Sequence, residues 1–426
     1  MEEGEAKLVR DDLISNASYG ISSESLPQRA GLTWQHCFFM ILAYVIGAGV
    51  LGLPCTVAKL GWLPAAAAYF AALAGFVLSG SLYVRLFEAV PEAKCLGDVA
   101  YKAYGAAGEA AVSLLQSSFM LVFAALLHLT AALSLNEFLA RPMKEVGLAS
   151  SIIAGANFVL LQVDMNSVGL LTAISTVALM LACLVVMVYF GISGRHSGAE
   201  TEIFANSNWT AWGVACSNLV CAFAGCHIWI ELQSESSKPA EFRHAAWSAG
   251  IIIAVTYAVL GAFGYYYIGR AELATGHPLT LYVFNGFARR LVGCLIMIHV
   301  VPSYVLNGSV LIRNLVGQTE MQRTTKFGRQ VRWLCGSAVL VVFGFSASAR
   351  LPFFNDLAGL CGALFLNLLS YTVPLALSCK LLKLSQTEAA SYIFLAVATA
   401  IGAVLGVKAC IDDMHTQKAA LLEFLP

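Results

Sequence analysis

The stretch VIGAGVLGLP, Val45 to Pro54, sets Gly47, Gly49, Gly52 and Pro54 inside an apolar run long enough to cross a membrane. Glycine and proline are poor helix residues. Irregular backbone at membrane depth is tolerated only where protein buries it or where it lines a cavity. A break at Gly47-Ala48-Gly49 would leave carbonyls at the end of one half-helix and amide N–H groups at the start of the next. The amide end carries partial positive charge and suits a carboxylate; the carbonyl end suits a cation or an ammonium group. One break would therefore offer both poles that a zwitterion needs. The same glycines also fit a second reading, a close-packing face between helices.

A second interruption lies at Gly225, within Cys216–Glu235, with the polar residues Glu231, Gln233 and Glu235 directly after it. The elements that would carry these breaks follow from composition. Of 426 residues, 59% are hydrophobic and only 12% charged, about half the charged fraction of an ordinary soluble domain. Read with a ruler of about 20 apolar residues per span, the chain has eleven candidate spans. They cover 34–58, 62–88, 110–139, 149–162, 168–191, 209–232, 243–269, 291–315, 330–348, 353–382 and 388–410. The fourth is short and the tenth long. Residues 1–30 read as a disordered cytoplasmic tail, and 31–426 as one all-α membrane domain. The polar segment Pro91 to Gly108, with Tyr101 and Tyr104, reads as an interfacial helix.

Interruptions in spans one and six stand at matching places in two five-span halves. That pattern points to an inverted-repeat transporter with its site near the bilayer midplane. The halves are 34–192 and 209–382, and 388–410 is an extra helix outside the repeat. Most of the 25 Lys and Arg residues fall on the N-terminal side of this topology, with Arg323, Lys326, Arg329 and Arg332 as the densest group. The N-terminus is therefore expected in the cytoplasm and the C-terminus on the opposite side. The sequon Asn208-Trp209-Thr210 falls on that opposite side, close against span six.

The first span, TWQHCFFMILAYVIGAGVLGLPCTVAKLGW, resembles that of the amino acid/auxin permease family, a branch of the amino acid–polyamine–organocation transporters. Gly47, Gly49, Val50, Leu51, Gly52, Leu53, Pro54, Leu60 and Gly61 carry the likeness. Phe223, Gly225, Glu231, Gln233 and Pro239 resemble the family's sixth span, and GAFGYYYIG the end of its seventh. The resemblance implies a leucine-transporter-like fold with a 5+5 inverted repeat, and amino acids or close relatives as substrates. In that fold the substrate lies between spans one, three, six and eight.

Backbone candidates for binding are Ile46, Gly47, Ala48 and Gly49 in span one, with Phe223, Ala224 and Gly225 in span six. Side-chain candidates are Phe119 and Phe123 of span three and, after Pro302, Ser303 and Asn307 of span eight; each also fits ordinary packing. Ionisable groups inside a membrane are costly and often functional. His128 and His299 could relay protons, or sit neutral beside a neighbouring carbonyl. Glu231 could gate the inner side with Arg243 or Lys238, or be an interfacial residue. Asp356 could gate the outer vestibule with Arg350, or stand at a helix N-terminus.

The resemblance also bears on the coupling ion. Sodium-coupled relatives typically carry an Asn four residues before the first motif glycine, where this chain has Ala43. Span five offers Thr172, Ser175 and Thr176 and no Lys. Ala43 favours protons over sodium; the span-five Lys that replaces sodium in some proton-coupled relatives is absent, and the hydroxyls could serve as sodium ligands.

Other function classes fare worse. Zero net charge leaves no basic face for nucleic acid. The twelve cysteines show no CxxC or Cys/His metal spacing, so neither metal nor cofactor is expected. Gly191-Ile-Ser-Gly194 with His196 imitates an intramembrane serine protease, but Ser193 ends a span instead of starting a buried helix. Asp98 lacks a second membrane Asp for an aspartyl protease. The chain is thus expected to be a transporter in the plasma membrane or a vacuolar or endosomal membrane, with a membrane amino acid sensor or a sodium-coupled symporter as alternatives.

Overall fold

The computed structural model describes residues 32–139, 146–162, 168–276, 279–283, 286–316, 325–350 and 358–423. Among them the chain is helical throughout, joined by short loops. The first span is two helices, α1 (Trp34–Val45) and α2 (Leu53–Leu60), bridged by a 3-10 turn over Ala48–Gly52 and bent by 44°. Next come α3 (Trp62–Ala89), α4 (Leu96–Phe138), α5 (Val146–Leu160) and α6 (Val168–Ser193). The sixth span is again split, into α7 (Trp209–Phe223), a 3-10 turn over Cys226–Ile228, and α8 (Trp229–Glu235). The remaining helices are α9 (Phe242–Ile268), α10 (Gly286–Val316), α11 (Lys326–Arg350), α12 (Ala358–Leu381) and α13 (Gln386–Glu423).

All eleven expected spans appear as helix among the described residues. Nine helices are long and apolar enough to cross, and the bent first span makes a tenth. The fourth, α5, has 15 residues, about 22 Å at 1.5 Å per residue, less than the roughly 30 Å of hydrocarbon. The beginning of the tenth expected span, with Asp356, lies outside the described residues.

Local chemistry explains several boundaries. The polar segment before span three is a helical segment of its own, Leu96 to Tyr104, set off from the rest of α4 by a kink at Gly105, where φ is +68°. Only glycine takes that conformation without strain. The Asp98 carboxylate accepts from the Lys94 and Cys95 amides at the start of this part, at 2.8 and 3.2 Å. The sequon residue Asn208 is the N-cap of α7, its Oδ1 accepting from the Ala211 amide at 2.9 Å and the Thr210 hydroxyl at 2.7 Å. In α12 the backbone widens into π-helical turns over Cys361–Leu366 and Leu368–Thr372. Such widened turns often stand beside functional sites.

The ends of the split spans are tied to one another. On one side the Leu32 amide donates to the Glu235 carbonyl at 2.9 Å, and the Ser237 amide to the Leu32 carbonyl at 2.9 Å. On the other, the α6–α7 loop crosses the α2–α3 corner, with Trp62 N donating to Glu202 O and Ala205 N to Leu60 O, both at 3.0 Å. The extra helix α13 packs along α7. It also reaches α2 through a Lys59–Asp413 ion pair at 3.3 Å.

The α9–α10 connector, a one-turn helix Arg270–Leu273 and a 3-10 turn Leu279–Tyr282, lies on α2 and on the 3-10 turn of span one. It forms a lid over that break. Its Thr280 hydroxyl donates at 2.6 Å to Glu137, a carboxylate only 1% exposed near the end of α4. This bond joins the lid to the α4–α10 scaffold. Thr280→Val should loosen the lid and speed labelling of the buried Cys55 thiol of α2, beside Tyr282, by a membrane-impermeant thiol reagent several-fold. The gain should vanish in a Cys55→Ala background. Equal labelling of Thr280→Val and wild type would show that the bond seals nothing.

Candidate functional site

The two breaks face each other. Gly47 is extended (φ −108°, ψ −150°), and the chain then turns into the 3-10 segment. By helix geometry the amides of Ala48 and Gly49 begin the second half and lack intrahelical acceptors. Across from them α7 ends at Phe223, with Ala224 extended (φ −77°, ψ 146°). A methyl group on Gly49 would lie 3.3 Å from Ala222 Cα. One on Gly225 would lie 2.5 Å from Val45 Cγ2. A side chain at Gly225 would run into the Val45 side chain, and one at Gly49 would press on the Ala222 backbone.

The carbonyl ends of both first halves meet one side chain. The Tyr257 hydroxyl of α9, fully buried, stands 2.7 Å from the Val45 carbonyl and 2.9 Å from the Ala222 carbonyl. A hydroxyl has one proton, so it is shared between the two chain ends. Its ring packs on Phe223 with centroids 5.2 Å apart.

Between the breaks lies a small void lined by Tyr44, Gly47, Gly49, Phe119, Phe123, Cys221, Ala224, His227 and Leu366, among others. Its volume is about 10 Å³, roughly enough for one water. In this conformation the site is closed, and it must widen to admit anything the size of an amino acid. Phe119 and Phe123 stack at 5.2 Å and form one wall. His227 meets Phe119 edge-on at 5.0 Å, and its Nε2 lies 3.0 Å from the Tyr44 hydroxyl. A larger cleft, about 460 Å³, lies between α3 and α9 and ends at Arg85 and Arg243. It contains neither break and opens on an apolar outer face of the kind that lipid fills.

The chain matches the model of the transmembrane amino acid transporter proteins over residues 30–412. It belongs to that family. The N amino acid transport system protein of Neurospora crassa is 22% identical over 378 residues, covering 80% of this chain and 75% of that one. Among solved structures, inward-facing Mhp1 superposes with a TM-score of 0.59 at 13% identity, over 93% of this chain and 96% of that one. A substrate-bound, outward-open Na+-coupled sialic acid symporter gives 0.57 at 10% identity, over 89% and 90%. At such identities the likeness is one of fold, and it agrees with the leucine-transporter-like architecture that the family resemblance implies.

Within this transporter the structure brings together only some of the residues singled out from sequence. Gly47, Gly49, Phe119, Phe123 and Ala224 line the common void. Phe223 points away, into an aromatic group with Tyr69, Phe76 and Tyr257. The Ser303 hydroxyl donates to its own helix at the His299 carbonyl, 3.0 Å away. Asn307 Nδ2 donates to the Met120 carbonyl of α4 at 2.8 Å. Neither side chain is among the void's lining, and only Asn307 ties α10 to another helix.

The ionisable candidates also separate. His128 lies in a polar cluster between α4, α5 and α11, its Nε2 2.8 Å from Ser150 Oγ, which is 3.0 Å from Ser348 Oγ. His299, 1% exposed, stands at the first break instead. Its Nδ1 is 3.2 Å from the Ser175 carbonyl and 3.3 Å from its hydroxyl, and the ring lies against the Ile46 backbone. Glu231 does not pair with Arg243 or Lys238, which take Glu88 and Glu241. Its Oε1 accepts from Gln116 Nε2 at 3.1 Å and the Leu96 amide at 3.2 Å, tying α8 to α4.

Tyr44, His227 and Tyr257 are the site residues that sequence reasoning missed. Tyr44 and His227 had a signal, since each is a polar aromatic within three residues of a break glycine. Tyr257 had none, being one of many tyrosines in apolar spans. Tyr257→Phe keeps the ring packing and removes the only donor the hydroxyl supplies to the two carbonyls. A lost buried hydrogen bond of this kind costs about 1–3 kcal/mol. The variant should insert normally, unfold at a lower temperature in detergent and lose at least tenfold in amino acid uptake rate. Wild-type stability and uptake together would show that the hydroxyl holds neither break.

Proposed function

We propose that the protein is a secondary active transporter that moves amino acids by alternating access and couples this movement to protons. The observation that carries the reading is the pair of facing helix breaks joined through Tyr257. The amide end at Ala48 and Gly49 seats the substrate carboxylate. Carbonyls at the ends of α1 and α7 receive the ammonium group, and Phe119 and Phe123 cover the substrate. Closure of the void to one water's volume is the occluded form that such a cycle requires. In the proposed orientation the N-terminus is cytoplasmic, so the lid over Glu137 faces the opposite side.

His299 is the proposed proton carrier. It touches spans five and one at the carbonyl end of the broken helix, where positive charge is favoured. Ser175 faces His299, and the Thr176 hydroxyl donates back to the Thr172 carbonyl at 2.9 Å. His128 is proposed as a scaffold residue and Glu231 as a link holding α8 in its closed position.

In proteoliposomes with choline replacing sodium, an imposed pH gradient should drive accumulation of a labelled amino acid. His299→Gln should abolish this accumulation while leaving unlabelled-for-labelled exchange within a few-fold of wild type. Uptake that requires sodium and ignores the pH gradient would overturn the proton assignment. Separately, Gly49→Leu should fill the void and abolish both uptake and exchange without affecting membrane insertion, because its side chain would lie against Ala222 and the substrate seat. Near-normal uptake by this variant would remove the backbone seat from the account.

A further inference from the structure

His227 stands in the unwound segment of span six, two residues after Gly225, and is 1% exposed. Its ring is held edge-on by Phe119 at 5.0 Å and by Tyr44 at 5.6 Å, so its orientation is set by packing. Nε2 is engaged by the Tyr44 hydroxyl at 3.0 Å. Nδ1, equally buried, has no hydrogen-bond partner among the described residues. A buried polar atom without a partner is uncommon and calls for an explanation, often a ligand or water that completes it. Here the explanation is at hand, because the ring forms part of the wall of the void that also contains Gly47 and Gly49.

We propose that His227 reads the side chain of the substrate, and that the preferred substrates are amino acids whose side chains are uncharged and hydrogen-bonding, carrying an amide or a hydroxyl. The proposal rests on the reading of the two breaks as the seat of the backbone zwitterion. With the carboxylate and ammonium groups held by main chain, the remaining wall consists of Tyr44, Phe119, Phe123, Cys221, His227 and Leu366. None of these described lining residues carries a formal charge when the imidazole is neutral, so a charged side chain entering the void would be buried without a counterion.

The Tyr44–His227 pair can serve either sense of hydrogen bond. When the Tyr44 hydroxyl donates to Nε2, the ring proton sits on Nδ1, which then donates to a carbonyl oxygen. When Nε2 carries the proton and donates to Tyr44, Nδ1 accepts from an amide N–H or a hydroxyl. The pair is therefore matched to amide and hydroxyl groups alike, while an aliphatic side chain of equal length would leave Nδ1 unpartnered.

The test is competition against labelled glutamine in proteoliposomes containing the full chain. Asparagine and serine should compete. Methionine and norleucine, similar in length to glutamine but without the amide, should compete at least tenfold more weakly, as should arginine and glutamate. In His227→Phe, which keeps an aromatic wall, the preference for glutamine over methionine should fall at least tenfold. His227→Asn, which restores a hydrogen-bonding group, should recover part of it. The wild-type competition series decides the substrate class even if the phenylalanine variant fails to fold. Equal competition by glutamine and methionine, or a preference unchanged in His227→Phe, overturns the role of His227. If that happens while Gly49→Leu still abolishes uptake, the backbone seat survives and only the side-chain assignment is lost. Uptake untouched by Gly49→Leu removes the seat itself.

Discussion

A helix broken inside a bilayer must find partners for the backbone groups that it frees, and this requirement organises the molecule. Each unsatisfied group would cost several kcal/mol in hydrocarbon. The chain meets the cost by setting two breaks against each other and sharing the Tyr257 hydroxyl between their carbonyl ends. Glycine is needed at both because Val45 and Ala222 come so close. The amide ends stay available to a substrate, and the aromatic residues of α4 close over them. The proposed binding site, made of main chain, is thus a consequence of how the breaks are stabilised.

The surrounding helices sort by their relation to this centre. α4 and α10 pack closely together, and their polar side chains, Asn307 and His128 among them, are spent on helix-to-helix bonds. The half-helices also pack on α6, α9 and α13, and their ends are held in addition by polar contacts. Short backbone links join Leu32 to Glu235, a carboxylate–amide contact joins Glu231 to Gln116 and Leu96, an ion pair joins Lys59 to Asp413, and the lid is held to α4 by the Thr280 hydroxyl and to the α6–α7 loop by Arg270. Bonds that are few and polar can be exchanged at modest cost, whereas interdigitated helix faces cannot. Alternating access in this proposal opens the first kind and leaves the second intact.

Much of this was legible in the sequence, because hydropathy and glycine placement are themselves physical constraints. The positions of the spans, both breaks and the repeat architecture follow from segment length and from Gly47, Gly49 and Gly225. The short helix before span three was legible as well, but the kink at Gly105 that sets it off was not, since a positive φ leaves no mark in composition. Phe119 and Phe123 were found because span three faces the site in this fold. Ser303 and Asn307 were singled out on the same logic, yet their polar groups answer local needs of α10 and α4. Helical periodicity does not say which of two neighbouring faces a residue serves. Tyr257 was invisible for a related reason, as its role depends on two chain ends 35 and 212 residues away.

The central claim is that main chain at the breaks recognises the zwitterion. Its most direct test compares competitors for uptake of one labelled amino acid in proteoliposomes: the same amino acid unlabelled, its methyl ester, its decarboxylated amine and its N-acetyl derivative. The account predicts that only the free amino acid competes effectively, with each derivative at least a hundredfold weaker, because each removes one pole from a seat built for two. Competition by the ester or the amine at the concentrations effective for the parent amino acid would contradict it.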